Sequence, residues 1–200
     1  MILSDSQIKK LALENDMIIP FSSKLVSEKE GRKIISYGLS SYGYDLKLSR
    51  STFKIFSSNL NNFHGIVDPK KFDSSFLITA NIQYDEDGSE YFILPPNTYA
   101  LGVAFEKLKI PRDVIAIFLT KSTYARCGVI CNVTPAEPEW SGYLTLEISN
   151  SASTPCKIYC NEGIVQALFF QNENYPCNVS YSDRKGKYQN QPQKITFSRV

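Results

Sequence analysis

Short apolar runs separated by turn residues fill the chain from residue 44 onward, at 44–48, 53–56, 76–80, 98–105, 114–119, 143–149 and 164–170. Segments of that length, bounded by turn-forming residues, read as β-strands, and their recurrence predicts a sandwich or barrel. One long helix is predicted before them, over 4–15. Ser4 stands at its N-cap, Gln7 three residues on completes a capping box, and Ile8, Leu11 and Ala12 share a face. The run 143–149 alternates strictly: Leu144, Leu146 and Ile148 fall on one side, Tyr143, Thr145, Glu147 and Ser149 on the other. Glu147 is therefore aimed away from the core. On the residues alone, such a carboxylate faces water or joins an ion pair. Residues 62–75 and 84–89 are polar and lack a period, and Asp85-Glu86-Asp87-Gly88 has the makeup of a tight turn. The twelve-residue calcium-loop pattern ending in a ligating Glu is missing there.

Two hundred residues predict one domain, with 180–200 as a polar tail that has the composition of a lid or of a disordered terminus. Lys and Arg number 22 against 20 Asp and Glu, a net charge of +2. That balance excludes affinity built on neutralising many nucleic-acid phosphates, so any anion site is local. The apolar run 114–119 falls far short of the ~20 residues needed to cross a bilayer. An odd count of five cysteines, with a polar first segment, leads us to expect a reduced, cytoplasmic protein with neither nucleic acid nor membrane as partner.

Cys127 and Cys131, then Cys156 and Cys160, raise the possibility of a four-thiolate zinc site. Both pairs adjoin strand-like runs, where a spacing of four puts side chains on one face without any metal, so the expectation is incidental or buried thiols and no zinc. His64 is the only histidine and is followed by Gly65 and Ile66. The H-x-E and P-C-x-x-C signature of zinc-dependent base deaminases is therefore not present.

Lys121 and Arg126, the hydroxyls of Ser122 and Thr123, and the strand carboxylate Glu147 fall within 27 residues. Lys121-Ser122-Thr123-Tyr124-Ala125-Arg126 reads as a helix start with Ser122 as N-cap, and free amides at such a start attract phosphate. A carboxyl like that of Glu147 moves protons to and from a reacting ring once burial raises its pKa toward neutrality.

K-S-T-Y-A-R at 121–126, E-P-E-W-S-G at 137–142 and T-L-E at 145–147 resemble the active-site blocks of dCTP deaminases. The similarity extends through S-Y-G-L-S-S-Y-G-Y-D-L-K-L at 36–48, L-P-P-N-T-Y-A-L-G at 94–102, N-E-G-I-V-Q-A-L-F-F at 161–170 and residues 181–191, nearly the whole chain. The resemblance implies a mainly β, dUTPase-like distorted barrel or jelly roll with an N-terminal helix and few short helices. It also implies a homotrimer with sites at subunit boundaries.

The implied reaction is hydrolysis of dCTP to dUTP and ammonia without a metal at the ring, with Glu147 as catalyst. Ser122 would help hold the attacking water, and Arg126 would lie close to Glu147. Lys121, Thr123, Tyr124, Ala125, Thr145 and Leu146 belong to the implied substrate site, with Lys121 standing where many relatives carry Arg. Glu137 would meet the sugar 3′-hydroxyl. Gln166, Tyr181, Lys187 and Gln191 would contact the nucleotide, the last three from a tail that closes over the triphosphate. Between Arg126 and Trp140 the chain is about two residues shorter than one branch of the family, and Asn132, Val133, Thr134 and Pro135 occupy the segment whose backbone reads the base.

No Walker-type glycine-rich loop is present, so Mg²⁺ held by phosphates and water is expected to offset the triphosphate charge. The resemblance further implies feedback inhibition by dTTP. Competing readings are a dUTP pyrophosphatase, a bifunctional enzyme giving dUMP, or a nucleotide-binding regulator without catalysis. The reaction is expected to stop at dUTP, because Glu137, one methylene longer than the pyrophosphatase Asp, is the only nearby base for a second water.

Overall fold

The capping box forms as the sequence predicts: the Ser4 backbone N–H donates to Gln7 Oε1 at 3.0 Å, and helix α1 runs Asp5–Glu14 with Ile8 and Ala12 buried. The computed structural model describes residues 1–57 and 65–200. His64 and the beginning of the polar stretch 62–75 lie outside the described residues.

Among the described residues, fourteen strands follow α1. They are β1 (Ile18–Ile19), β2 (Leu25–Lys29), β3 (Arg32–Ser40), β4 (Gly43–Lys47), β5 (Lys54–Phe56), β6 (Leu77–Thr79), β7 (Gln83–Tyr84), β8 (Glu90–Leu94), β9 (Thr98–Lys109), β10 (Val114–Thr120), β11 (Val129–Asn132), β12 (Ser141–Asn150), β13 (Cys156–Tyr159) and β14 (Gly163–Gln171). Helix α2 (Ser122–Ala125) is a single turn after β10. The described strands form three antiparallel sheets, in the orders β11-β12-β9-β5-β6 with β1 beside β9, β10-β14-β4-β3-β2, and β13-β8-β7. The fold is mainly β with one substantial helix, as expected.

All three sheets feed one apolar core that includes Leu46, Leu48, Phe92, Leu146, Ile158 and Val165. Phe53 and Phe92 stack within it at 4.7 Å. The tight turn at 85–88 closes the β7–β8 hairpin, with Gly88 N–H donating to Asp85 O at 2.9 Å. No described helix is long and apolar enough to cross a membrane.

Two features depart from the sequence reading. Strand β9 runs to Lys109 rather than stopping at 105, because Glu106, which reads as a strand end, is wholly buried against Lys47 of β4. Strands β1, β2, β3, β7, β8, β11 and β13 lie outside the predicted runs; in β3, charged and polar residues hide the period that the neighbouring strands impose by pairing.

Candidate active site

Glu147 lies on β12, between Asn132 of β11 and Leu101 of β9. The pleat sends Leu144, Leu146 and Ile148 into the core and leaves Glu147 half-buried on the opposite face. Among the described residues its carboxylate has no hydrogen bond and no ion pair, and burial alone pushes its pKa up. It borders a pocket of about 340 Å³ that also takes in the 133–136 segment, Thr145, Tyr99 and residues of the C-terminal tail.

The far wall is fixed by a two-way backbone bridge. Ala136 N–H donates to Ala116 O at 2.9 Å and Ala116 N–H returns to Ala136 O at 3.0 Å. Thr120 Oγ1 pins the approach by accepting the Cys131 N–H at 2.8 Å. The neighbouring acidic groups stay protonated near neutral pH. Burial and, secondarily, the Glu147 charge raise the Tyr99 phenol to about 12 and push the buried Cys131 thiol well up. Tyr99 was missed by the sequence reading, because the five residues after it on β9 are all buried and no alternation marks its face.

The 121–126 block sits elsewhere. Lys121, not Ser122, is the N-cap of α2. The Ser122 hydroxyl is thus freed from the capping role assigned to it, and the N–H groups of Ser122 and Thr123 make no hydrogen bond among the described residues. Lys121 is no open cation, because its ammonium pairs with Asp45 of β4 in a largely buried contact. Burial raises the Asp45 pKa and the Lys121 pair opposes it. Gln166 of β14 stands directly across from Asp45, which puts it in the same cluster.

Tyr124 is a core anchor whose hydroxyl accepts the Tyr159 N–H at 2.8 Å, and Leu146 is likewise buried, so neither side chain is offered to a ligand as the sequence reading placed them. Ser122, Thr123, Ala125 and Arg126 are exposed. Arg126 Nη1 donates to Ser122 O at 3.0 Å. None of residues 121–126 lines the Glu147 pocket, and Arg126 does not perturb Glu147. Within one chain the expected proximity of Arg126 to Glu147 does not occur.

The tail is packed rather than free, against the reading of it as a disordered terminus. It crosses β12, where Tyr143 N–H donates to Gln191 O at 3.0 Å and Asn190 N–H to Ser141 O at 2.8 Å. Gly142, at φ +148°, permits the crossing, since a Cβ there would stand 2.6 Å from Gln191 N. Trp140 Nε1 holds Tyr188 O at 2.8 Å, and the Tyr181 hydroxyl accepts the Tyr188 N–H at 2.9 Å. Gly186 is equally required, because a Cβ would fall 2.1 Å from the Tyr181 ring. Beyond it, Ile195 is buried and Phe197 stacks on Phe72 at 5.3 Å. Tyr181 and Gln191 border the Glu147 pocket, whereas Lys187 is exposed, with its ammonium 5.2 Å from the Tyr188 ring. Glu137 is held by Arg184 of the tail.

Comparison with known proteins gives a consistent picture. A family model described as dCTP deaminase-like matches residues 2–172. A dCTP deaminase of Acidobacterium capsulatum is 54% identical over 190 residues, covering 95% of this chain and 94% of its own length. One from Nitrosomonas eutropha is 49% identical over 199 residues, 100% of this chain and 99% of the relative. Among solved structures, the 2′-deoxycytidine 5′-triphosphate deaminase of Agrobacterium tumefaciens superposes with a TM-score of 0.55 over 86% of this chain. At 16% identity that is a likeness of fold, and this chain spans 48% of that one.

Proposed function

The chain belongs to the dCTP deaminase-like family, and from that premise we propose that it hydrolyses dCTP to dUTP and ammonia with Glu147 as the acid and base. The observation that carries this reading is an unpartnered, half-buried strand carboxylate bordering a pocket of about 340 Å³. With its pKa raised by burial, one carboxyl can serve consecutive proton transfers. Water adds to C4 as Glu147 takes its proton, the proton passes to N3, and Glu147 then delivers the second proton of the water to the exocyclic amine, which leaves as ammonia. Nearby groups offer no competing base, since the Tyr99 phenol and Cys131 thiol are held protonated. The ring step is assigned to the carboxyl without a metal. Mg²⁺ enters with the triphosphate, held by phosphate oxygens and water.

Ser122 and Arg126 act from a neighbouring copy in this reading, because they lie away from Glu147 in their own chain. The proposed assembly is a homotrimer. Ile117 and Leu119 of β10 and Ile130 of β11 leave apolar side chains exposed, the kind of surface a second copy covers. Ser122 would hold the attacking water, and the free amides of Ser122 and Thr123, with Gln166, would meet phosphate oxygens. Lys121 would contribute its field while tied to Asp45. Glu137 would receive the sugar 3′-hydroxyl, and Tyr181, Lys187 and Gln191 would close over the nucleotide.

Inhibition by dTTP through the same pocket is part of this reading, with the 5-methyl group pressing on the 133–136 segment. In this reading the reaction ends at dUTP, because Glu137, the nearby candidate to activate a second water, is occupied by Arg184 on one oxygen and by the sugar hydroxyl on the other. Product analysis after incubation with dCTP and Mg²⁺ tests the proposal. Stoichiometric ammonia and dUTP are expected. Absence of ammonia would leave only nucleotide binding, and pyrophosphate in the phosphorus NMR spectrum would show a bifunctional enzyme.

A further inference from the structure

The Glu137-Pro138-Glu139 segment is joined to the tail at every residue. Arg184 Nη2 donates to Glu137 Oε2, and the Tyr181 N–H donates to Pro138 O at 3.0 Å. Gln189 Nε2 donates to Glu139 O at 2.9 Å. Arg112, from the loop between β9 and β10, reaches Glu139 Oε2 at 2.8 Å, Asp183 Oδ2 at 2.7 Å and Asn178 O at 3.0 Å, tying the same two segments together a second time. The turn that presents Arg184 is itself held, since the Asp183 N–H donates to Ser180 Oγ at 3.1 Å and Asp183 Oδ2 accepts the Ser180 N–H at 3.0 Å. Arg184 is the only cation paired with Glu137 among the described residues.

We infer that Arg184 is a positioning residue for sugar recognition: it aims the Glu137 carboxylate, so that docking of the tail and reading of the 3′-hydroxyl are one event. This rests on the reading of Glu137 as the sugar contact. Half-exposed ion pairs contribute little to stability, so conservation of fold does not explain the pairing's use. Orientation does. A carboxylate with free rotamers presents its lone pairs in many directions, whereas one oxygen held by a guanidinium leaves the other in a defined place for a hydroxyl donor.

The test compares dCTP with 2′,3′-dideoxycytidine triphosphate, which lacks the hydroxyl. The readout is the ratio of their kcat/KM values in the wild type, Arg184→Gln, Arg184→Lys and Glu137→Gln, with thermal midpoints recorded for each. Glu137→Gln is expected to lower the preference for dCTP. Arg184→Gln is expected to lower it by about tenfold, the scale of one charge-assisted hydrogen bond, mostly through KM. Arg184→Lys, which keeps the charge, should restore part of it. A merely structural tail contact slows both nucleotides by the same factor and leaves the ratio unchanged. That outcome in Arg184→Gln, with the ratio lost in Glu137→Gln, overturns the role of Arg184 alone. An unchanged ratio in Glu137→Gln overturns the sugar-contact reading beneath it.

Discussion

Glu147 and Glu106 are both strand carboxylates whose pKa is raised chiefly by burial, yet their surroundings differ in every other respect. Glu106 is 0% exposed and lies where β9 meets β4. Its Oε2 accepts the Lys47 backbone N–H at 2.9 Å, and the Lys47 ammonium stands 3.5 Å from Oε1, itself boxed by the rings of Tyr37 and Phe105 at 4.3 and 4.2 Å. Glu147 has no partner among the described residues and borders a pocket. Burial alone therefore does not mark a carboxylate for chemistry. A resident cation and a closed environment make one a structural brace, while an empty hydrogen-bonding shell beside a cavity leaves the other free to exchange protons with a ligand.

Exchanging the carboxyls for amides separates the two most sharply. Glu147→Gln keeps the shape of the site but removes the proton acceptor, so turnover of dCTP should fall by ~10²–10⁴-fold. Its thermal midpoint should barely move. Unchanged turnover would erase the distinction between the two residues.

The brace is tested from the other side by Lys47→Met. Above pH 7, where Glu106 is ionised, removing the cation strands a buried carboxylate, a loss of about 3–5 kcal/mol that urea unfolding would register. The molecules that remain folded should still turn over dCTP. Equal loss of stability and of turnover per folded molecule would mean that the brace reaches the active site.

A smaller effect comes from titration. Glu106 is raised from the ordinary 4.5 to about 7. Between these values the folded chain retains a proton that the unfolded chain has released, so stability should decline as pH rises through this window. The total is about 3 kcal/mol for a shift of this size. Glu106→Gln should flatten that slope in denaturation curves taken across the range.

The smallest effect concerns the pH profile of catalysis. Glu147 must be ionised to accept the first proton, so kcat/KM should fall as pH drops through its raised pKa. The acid limb should therefore lie above the usual carboxylate range. A limb at the ordinary carboxylate value would place Glu147 in water rather than in a half-buried pocket.

Much of the scaffold was legible in local patterns. Ser4 and Gln7 announce α1, the 85–88 turn announces its hairpin, and the alternation of 143–149 aims Glu147 outward, because caps, turns and pleats depend on residues a few positions apart. The motif blocks pointed to the family in the same way. Partners were another matter. Lys121 reads as a free cation until Asp45, 76 residues away, is seen to hold it. Glu106 reads as a strand end until Lys47, itself boxed by two rings, is seen to hold it, and Glu137 is bound by an arginine 47 residues further on. Nor does the order of residues reveal that Arg126 and Glu147 stand apart within one chain. Side-chain direction is a short-range property of the backbone, which the sequence by itself determined. Burial, ion pairing and the meeting of distant groups depend on how strands far apart in the chain come to lie together, and that only the tertiary structure decided.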